Sequence, residues 1–104
     1  SDFEINKAVA VSLSAEFQFD DIREKLYTDI FRNAEIDYCN NPADAMPIIK
    51  DNLISLEHDG IAWMVSCVRH PEISVWDGCE NYNDNFYRKA MELFLLMKDA
   101  ENES

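Results

Sequence analysis

The segment that most constrains the fold is residues 61–68, Ile-Ala-Trp-Met-Val-Ser-Cys-Val, which is almost continuously apolar. Such a run is typical of a strand in the middle of a sheet. Asp59-Gly60 comes just before it, and this dipeptide supplies the positive φ that a tight hairpin turn requires. The sequence therefore predicts a β-hairpin that pairs residues 53–56 with residues 61–68.

A third strand and a helix are predicted to follow the hairpin. Pro71 ends the apolar run, and residues 73–76 are suited to a short edge strand before Asp77-Gly78 turns the chain. Residues 86–100 form the clearest helix, with Asn83, Asp84 or Asn85 as its cap. A wide apolar stripe marks its buried face: Phe86, Ala90, Leu93, Phe94 and Met97.

Two further helices have clear start signals. Ser1 followed by Glu4 is a capping-box pattern, and Phe3, Val9 and Leu13 recur near helical spacing after it. Asn41-Pro42 starts a second helix, which is expected to reach residue 52. Pro47 lies inside this helix and removes a backbone donor, so a kink or a tight first turn is expected there.

Residues 17–36 fit two patterns. Asp20 or Asp21 is a suitable cap for a helix in which Ile22, Leu26 and Ile30 share one face. A strand over residues 26–31 is the alternative, because aromatic and β-branched residues are frequent there. The helix is the interpretation we take, with a short extended piece over residues 35–39.

Together these elements predict an α+β fold, with a small antiparallel sheet of about three strands flanked by helices in a helix-sheet-helix sandwich. The chain has 104 residues, of which 47% are hydrophobic and 12% aromatic. This length and this content are enough for one domain over residues 1–104 with a core of its own.

The charge balance excludes several classes of direct ligand. The chain has nine basic and 21 acidic residues, and its net charge is −12 at pH 7. A negative field of this strength disfavours nucleic acid and anionic membrane surfaces. There is no run of 18 apolar residues, and the three cysteines contain no C-x-x-C pair. We therefore expect free thiols and a cytoplasmic location.

The spacing of the reactive residues gives little support to metal binding or catalysis. Cys67 and His70 form one close pair, whereas structural zinc usually takes two. His58 and His70 are expected on the solvated surface, and Cys67 in the core as a small hydrophobe. We expect no enzyme activity, no metal and no cofactor.

The acidic residues are distributed unevenly. No Lys or Arg occurs in residues 33–49 or in residues 71–87, and aromatic and amide side chains accompany the acids of the second stretch. Aromatic side chains anchor interfaces and carboxylates steer basic partners, so the second stretch is a candidate partner-binding surface. Its candidate contacts are Glu72, Trp76, Asp77, Glu80, Tyr82 and Asp84. A solvated loop with Trp76 in the core is the alternative.

Three segments resemble the NinX-like proteins of lambdoid phages. Residues 2–10 (Asp-Phe-Glu-Ile-Asn-Lys-Ala-Val-Ala) are similar to the N-terminal helix of that family, and residues 86–91 resemble the start of its C-terminal helix. Residues 37–49 (Asp-Tyr-Cys-Asn-Asn-Pro-Ala-Asp-Ala-Met-Pro-Ile-Ile) are similar to its most recognisable stretch, where a Trp often stands in place of Met46. The resemblance implies a phage or prophage origin and a helix-flanked antiparallel sheet. It implies no settled activity.

A phage origin favours a non-enzymatic accessory protein that acts by protein–protein interaction. The expected partner is a host protein with a basic surface, and the expected effect is counter-defence inhibition, in which acidic residues could mimic nucleic acid. The alternative is a sponge for a signalling nucleotide, with Arg69, Arg88 and Lys89 as phosphate donors. The sequence leaves a homodimer open.

Overall fold

The computed structural model describes residues 1–27, 34–75 and 85–102, and every structural statement below refers to these residues. They form three helices and six strands. In chain order these are α1 (Asp2–Ser12), β1 (Gln18–Asp20), β2 (Lys25–Tyr27), β3 (Glu35–Ile36), α2 (Pro42–Asp51), β4 (Ile54–His58), β5 (Trp63–Cys67), β6 (Ser74–Val75) and α3 (Phe86–Asn102). The predicted α+β class is confirmed.

Strands β4, β5 and β6 form an antiparallel sheet, which we call the second sheet, in the order β4-β5-β6. The predicted hairpin and the central place of its second strand are confirmed, since Ile54 pairs with Cys67 and His58 pairs with Trp63. Val65 and Cys67 are buried, whereas Met64 is partly exposed. This alternation shows that one face of β5 is covered and the other is open.

Strands β1, β2 and β3 form another antiparallel sheet, the first sheet, in the order β1-β2-β3. The single predicted sheet of about three strands is therefore two sheets. The helix predicted from Asp20 or Asp21 onward is wrong as far as residue 27, and its remainder, residues 28–31, lies outside the described residues.

The reason for this difference lies in the turn between β1 and β2. Asp20 Oδ1 accepts hydrogen bonds from the backbone N–H groups of Ile22 and Arg23, at 3.0 and 3.1 Å. Glu24 has φ 55°, so the chain reverses there instead of continuing as a helix. Ile22, predicted to lie on a buried helix face, is 95% exposed at this turn.

The predicted helix starts are confirmed. The side chain of Ser1 accepts a hydrogen bond from Glu4 N, and that of Asn41 accepts one from Ala43 N. Asn85 is the residue that caps α3.

α2 runs through Pro47, which is exposed. Leu13 was expected on the buried face of α1, but the helix ends at Ser12 and Leu13 is exposed.

α3 is the centre of the core. It packs against α1, α2 and all three strands of the second sheet. Five of its side chains are at most 1% exposed: Ala90, Met91, Leu93, Phe94 and Met97. The predicted apolar stripe is confirmed for four of its five members, and Phe86 is half-buried at the start of the helix.

Candidate functional site

Most of the predicted partner-binding residues cannot be placed. Trp76, Asp77, Glu80, Tyr82 and Asp84 lie outside the described residues, as does Cys79. Glu72 is described: its side chain is 66% exposed, and Oε1 lies 3.5 Å from His70 Nδ1. Glu72 is thus available on the surface at the start of the predicted stretch.

His70 differs from its expectation as a solvated residue. Its side chain is only 17% exposed, and Nε2 lies 3.5 Å from Glu101 Oε1 near the end of α3. Glu72 and Glu101 therefore contact opposite nitrogens of one imidazole. Through His70 the turn after β5 is joined to the last turn of α3.

The three bases predicted for the nucleotide alternative do not share one site. Arg88 lines a cleft between α1 and the first sheet, whereas Lys89 Nζ pairs with Glu92 Oε2 at 3.2 Å. Arg69 follows the end of β5 and is not among the residues that line this cleft. The nucleotide alternative thus has one of its three phosphate donors in a concave site.

This cleft has a volume of about 330 Å³ and a mixed charge. Its lining carries four carboxylates and two cations, and both cations contact carboxylates. Lys25 Nζ lies 3.1 Å from Glu35 Oε1, and Arg88 Nη1 lies 3.1 Å from Asp2 Oδ1. The Arg88–Asp2 contact is an ion pair without hydrogen-bond geometry, because Asp2 Oδ1 is a buried atom that has no hydrogen-bond partner among the described groups. The same is true of Arg88 Nε.

One wall of the cleft belongs to a polar junction, which we define as Asp2, Asn6, Asp37, Asn40 and Asn85. Asn6 is buried; it donates to Asp37 Oδ1 at 3.1 Å and accepts from Cys39 N at 3.1 Å. Asn40 Nδ2 donates to Asp2 Oδ2 at 3.0 Å and to both oxygens of Asp37. Asn85 Nδ2 donates to Cys39 O at 2.7 Å and to Asn40 Oδ1 at 2.8 Å.

The junction holds three helix N-termini together. Asp2 begins α1, Asn85 caps α3, and Asn40 lies one residue before the cap of α2. Carboxylates are stabilised at such ends because the free N–H groups carry partial positive charge. Asp44 in the first turn of α2 also accepts from Asp37 N at 3.0 Å. The arrangement gives hydrogen-bond partners to the buried side chain of Asn6 and to the backbone N–H and C=O of the buried Cys39.

Two of the cysteines are buried thiols. Burial, with the carboxylates of Asp2 and Asp37 nearby, raises the pKa of Cys39 to about 12, so this thiol is protonated at neutral pH. Cys67 Sγ donates to Asn52 O at 3.4 Å. The expectation that Cys67 is a core residue is confirmed, because it is 2% exposed.

The tip of the β4–β5 hairpin carries aromatic and acidic groups side by side. His58 packs edge-on against Trp63 with ring centroids 5.0 Å apart, and Trp63 packs against Phe86 at 4.7 Å. Asp59 Oδ1 accepts from Ile61 N and Ala62 N, both at 2.8 Å. Ile61 is 78% exposed, so an apolar side chain projects next to this carboxylate.

Most basic residues are engaged with acids of the same chain. Six of the nine lie within 4.0 Å of a carboxylate oxygen in the described structure: Lys7, Arg23, Lys25, Arg88, Lys89 and Lys98. Asp51, Glu57 and Asp99 are exposed acids on α2, β4 and α3. The surface charge that remains is therefore acidic.

The described residues contain no group of three or more His, Cys, Asp or Glu side chains that could hold a metal ion. Among the same residues no helix is long and apolar enough to cross a membrane.

Comparison with known proteins gives one decisive match. The family model described as "Bacteriophage P22, NinX" matches residues 1–98. The chain belongs to this NinX family. No curated protein and no solved structure shows significant similarity to it.

The NinX match confirms the resemblance drawn from residues 2–10, 37–49 and 86–91, and the chain is a phage accessory protein. Two of these NinX-like segments meet in the polar junction: residues 2–10 supply Asp2 and Asn6, and residues 37–49 supply Asp37 and Asn40. Asn85, the fifth junction residue, immediately precedes the third segment. Sequence reasoning missed the junction. The available signal was asparagine close to two of the three helix starts, at positions 40 and 41 before α2 and at position 85 before α3.

Proposed function

We propose that this NinX-family chain acts without catalysis, by binding a basic surface of a host protein and thereby inhibiting it. The observation that carries the proposal is the acidic surface left after internal pairing of most basic residues. An acidic surface accelerates encounter with a basic partner and disfavours acidic ones. The phage family supports a partner in the host.

The class of host protein follows from the same charge. Proteins that bind nucleic acid present basic grooves to phosphates. A folded domain with a net charge of −12 can occupy such a groove as a polyanion does. The proposed effect is counter-defence, with a nucleic-acid-dependent host protein as the target.

The stretch 71–87 supplies the proposed contacts. It contains Glu72, Asp77, Glu80 and Asp84 without any Lys or Arg, and Glu72 is exposed. Trp76 and Tyr82 would add anchoring contacts, since aromatic side chains are enriched among the residues that dominate binding energy.

The test is capture of host proteins from phage-infected cells with two matched variants. One variant carries Asp77→Lys, Glu80→Lys and Asp84→Lys; the control carries Glu16→Lys, Asp51→Lys and Asp99→Lys, which changes the net charge equally at exposed positions elsewhere. We expect the wild type and the control to retain a stoichiometric protein partner that the first variant loses. Circular dichroism checks that both variants are folded.

Two results would overturn the proposal. Equal retention of the partner by both triple variants would show that residues 71–87 are not the binding surface. Absence of any stoichiometric protein from the wild-type captures would show that the chain does not bind a host protein under these conditions, and the proposed function would fail.

A further inference from the structure

The cleft between α1 and the first sheet is a concave site that the proposed function does not use. None of its lining residues lies within residues 71–87. Its volume of about 330 Å³ is at the lower end of the range for small-molecule sites, roughly 300–1,000 Å³. The three apolar side chains in its lining, Phe3, Leu26 and Ile36, are at most 7% exposed. The cleft therefore offers a small ligand mainly polar contacts.

Two carboxylates converge in one wall of this cleft. Asn40 Nδ2 lies 3.0 Å from Asp2 Oδ2 and within 3.2 Å of both oxygens of Asp37. The donor that they share is a neutral amide, so it brings two negative charges together without balancing them. Arg88 Nη1 contacts Asp2, whereas no cation of the described residues lies within 4.0 Å of Asp37. Because like charges repel at this separation, the wall favours the approach of a second cation.

A buried acceptor in the same wall lacks a donor. Asp2 Oδ1 has no hydrogen-bond partner among the described groups, although Arg88 Nη1 lies 3.1 Å away. Arg88 Nε lacks an acceptor as well, but its charge is already balanced by Glu92 Oε1 at 3.5 Å. A buried acceptor without a donor is costly, and a bound group that donates to it removes this cost. The Asp2 side chain is 38% exposed, so its carboxylate can turn to meet a donor in the cleft.

Glu24 supplies a further acceptor, at the turn that leads into β2. It is exposed and lines the cleft, and no cation of the described residues forms an ion pair with it. The neighbouring Lys25 pairs instead with Glu35, with Nζ 3.1 Å from Oε1. Both cations of the cleft are thus engaged by acids, while Asp37 and Glu24 have no cation.

We infer that this cleft binds a small aliphatic diamine, with one ammonium group between Asp2 and Asp37 and the other at Glu24. An ammonium group carries three N–H donors, and its hydrogen bonds to carboxylates are roughly twice as strong as those between neutral groups. One of these donors meets Asp2 Oδ1. A small dianion is disfavoured, because the lining presents four carboxylates and two cations that are already paired. The inference does not depend on the proposed function, since the ligand is a small molecule and the site lies outside residues 71–87.

Three small probes test the inference by NMR titration of the protein in about 0.15 M NaCl, where a screening length of about 8 Å suppresses long-range attraction. They are diaminobutane with an amine at each end, lysine blocked at both its α-amino and carboxyl groups, and succinate. We expect diaminobutane to shift the side-chain amides of Asn6 and Asn40 and the backbone amide of Lys25 saturably. It should bind about tenfold more tightly than blocked lysine, because its second ammonium adds a charge-assisted bond. Succinate should leave these amides unshifted.

A matched pair of variants tests the placement of the second ammonium. Glu24→Gln should weaken diaminobutane about tenfold, to the affinity of blocked lysine, and leave blocked lysine unaffected. Glu16→Gln removes an equal charge at an exposed position outside the cleft lining and should change neither affinity. The NMR spectra of the unliganded variants check that both are folded.

Other outcomes overturn the inference. If blocked lysine binds as tightly as diaminobutane, the site takes a basic side chain of a protein and not a free diamine. If Glu16→Gln lowers the affinity as much as Glu24→Gln does, the amines respond only to net charge. If succinate shifts the same amides, the cations of the cleft are available and the ligand is an anion. If no probe shifts them at millimolar concentration, the cleft is not a binding site.

Discussion

At the scale of single residues, the carboxylate of Asp59 accepts two backbone hydrogen bonds in the β4–β5 turn. Hydrogen bonds from the backbone N–H of Ala62 and then of Ile61 hold its pKa below the ordinary 3.8. A lowered pKa in the folded state means that the carboxylate stabilises the turn above pH 3.8 and that this contribution is lost as the pH falls through the folded pKa.

We therefore expect the amide resonances of Ile61 and Ala62 to titrate with a midpoint below 3.8 in a series of NMR spectra. Asp59→Asn keeps an acceptor oxygen but removes the charge, so it should abolish this titration. A midpoint at or above 3.8 would show that the hydrogen bonds do not favour the ionised form.

Cys39 shows the opposite shift. Burial and the neighbouring carboxylates of Asp2 and Asp37 raise its pKa from 9.0 to about 12. The native thiol then has a thiolate fraction about a thousandfold lower than the unfolded one, since each pKa unit is tenfold. Native stability should accordingly decline as the pH rises from 9 toward 12, because the unfolded thiol ionises first.

Alkylation with iodoacetamide at pH 8, mapped by mass spectrometry, measures this directly. Cys39 should stay unlabelled in the native protein and react readily in urea. Rapid native labelling at Cys39 would mean that the polar junction opens on the timescale of the reaction.

At the scale of elements, the junction stabilises helix ends beyond ordinary capping. Asn85 accepts from Tyr87 N and Arg88 N and also donates to Cys39 O. Asn85→Ala should cost about 2–3 kcal/mol in the free energy of unfolding, because it removes a cap and leaves a buried carbonyl without this donor. Asn41→Ala removes only the cap of α2 and should cost about 1 kcal/mol.

Urea denaturation of the two variants provides the comparison. Equal losses for Asn85→Ala and Asn41→Ala would show that the bond between α3 and Cys39 adds nothing to capping. The difference between the two values isolates the tertiary part of the Asn85 contribution.

The elements that the sequence predicted correctly carry local signals. Asn41-Pro42 begins α2, Asn85 caps α3, and Asp59-Gly60 lies at the turn of the hairpin. The strands of the first sheet also pair over short separations, such as Phe19 with Leu26, but their turn carries no unambiguous signal. This turn rests on the side chain of Asp20, which fits a helix cap equally well in sequence.

The site was harder to predict than the fold. Asn6 is one polar residue in an amphipathic helix, and nothing local shows that it bonds to Asp37, 31 positions away. Helical spacing alone would place a polar residue of this kind on the outer face. The predicted contacts Trp76, Asp77, Glu80, Tyr82 and Asp84 lie outside the described residues and remain a prediction.

At the scale of the whole molecule, the acidic surface has a cost in stability. Like charges on a compact domain repel one another, whereas exposed ion pairs such as Lys25–Glu35 contribute little. Two acids add to this cost locally, since Asp51 and Asp99 lie in the last turns of α2 and α3, where negative charge opposes the helix dipole. The acidic surface that would attract a basic partner thus lowers the stability of the fold.

Salt should reveal this cost. At 0.5 M NaCl the screening length falls to about 4 Å, well below its value of roughly 10 Å at 0.1 M, so net repulsion weakens. We expect the free energy of unfolding in urea to rise with NaCl concentration for the wild type. The neutralised variant Glu16→Gln, Asp51→Asn, Asp99→Asn should be more stable at low salt and gain less from added salt, because part of the repulsion is already removed. If salt instead destabilised the wild type, the internal ion pairs would contribute more to stability than the repulsion takes away. A basic partner would then gain nothing from neutralising the acidic surface of the fold.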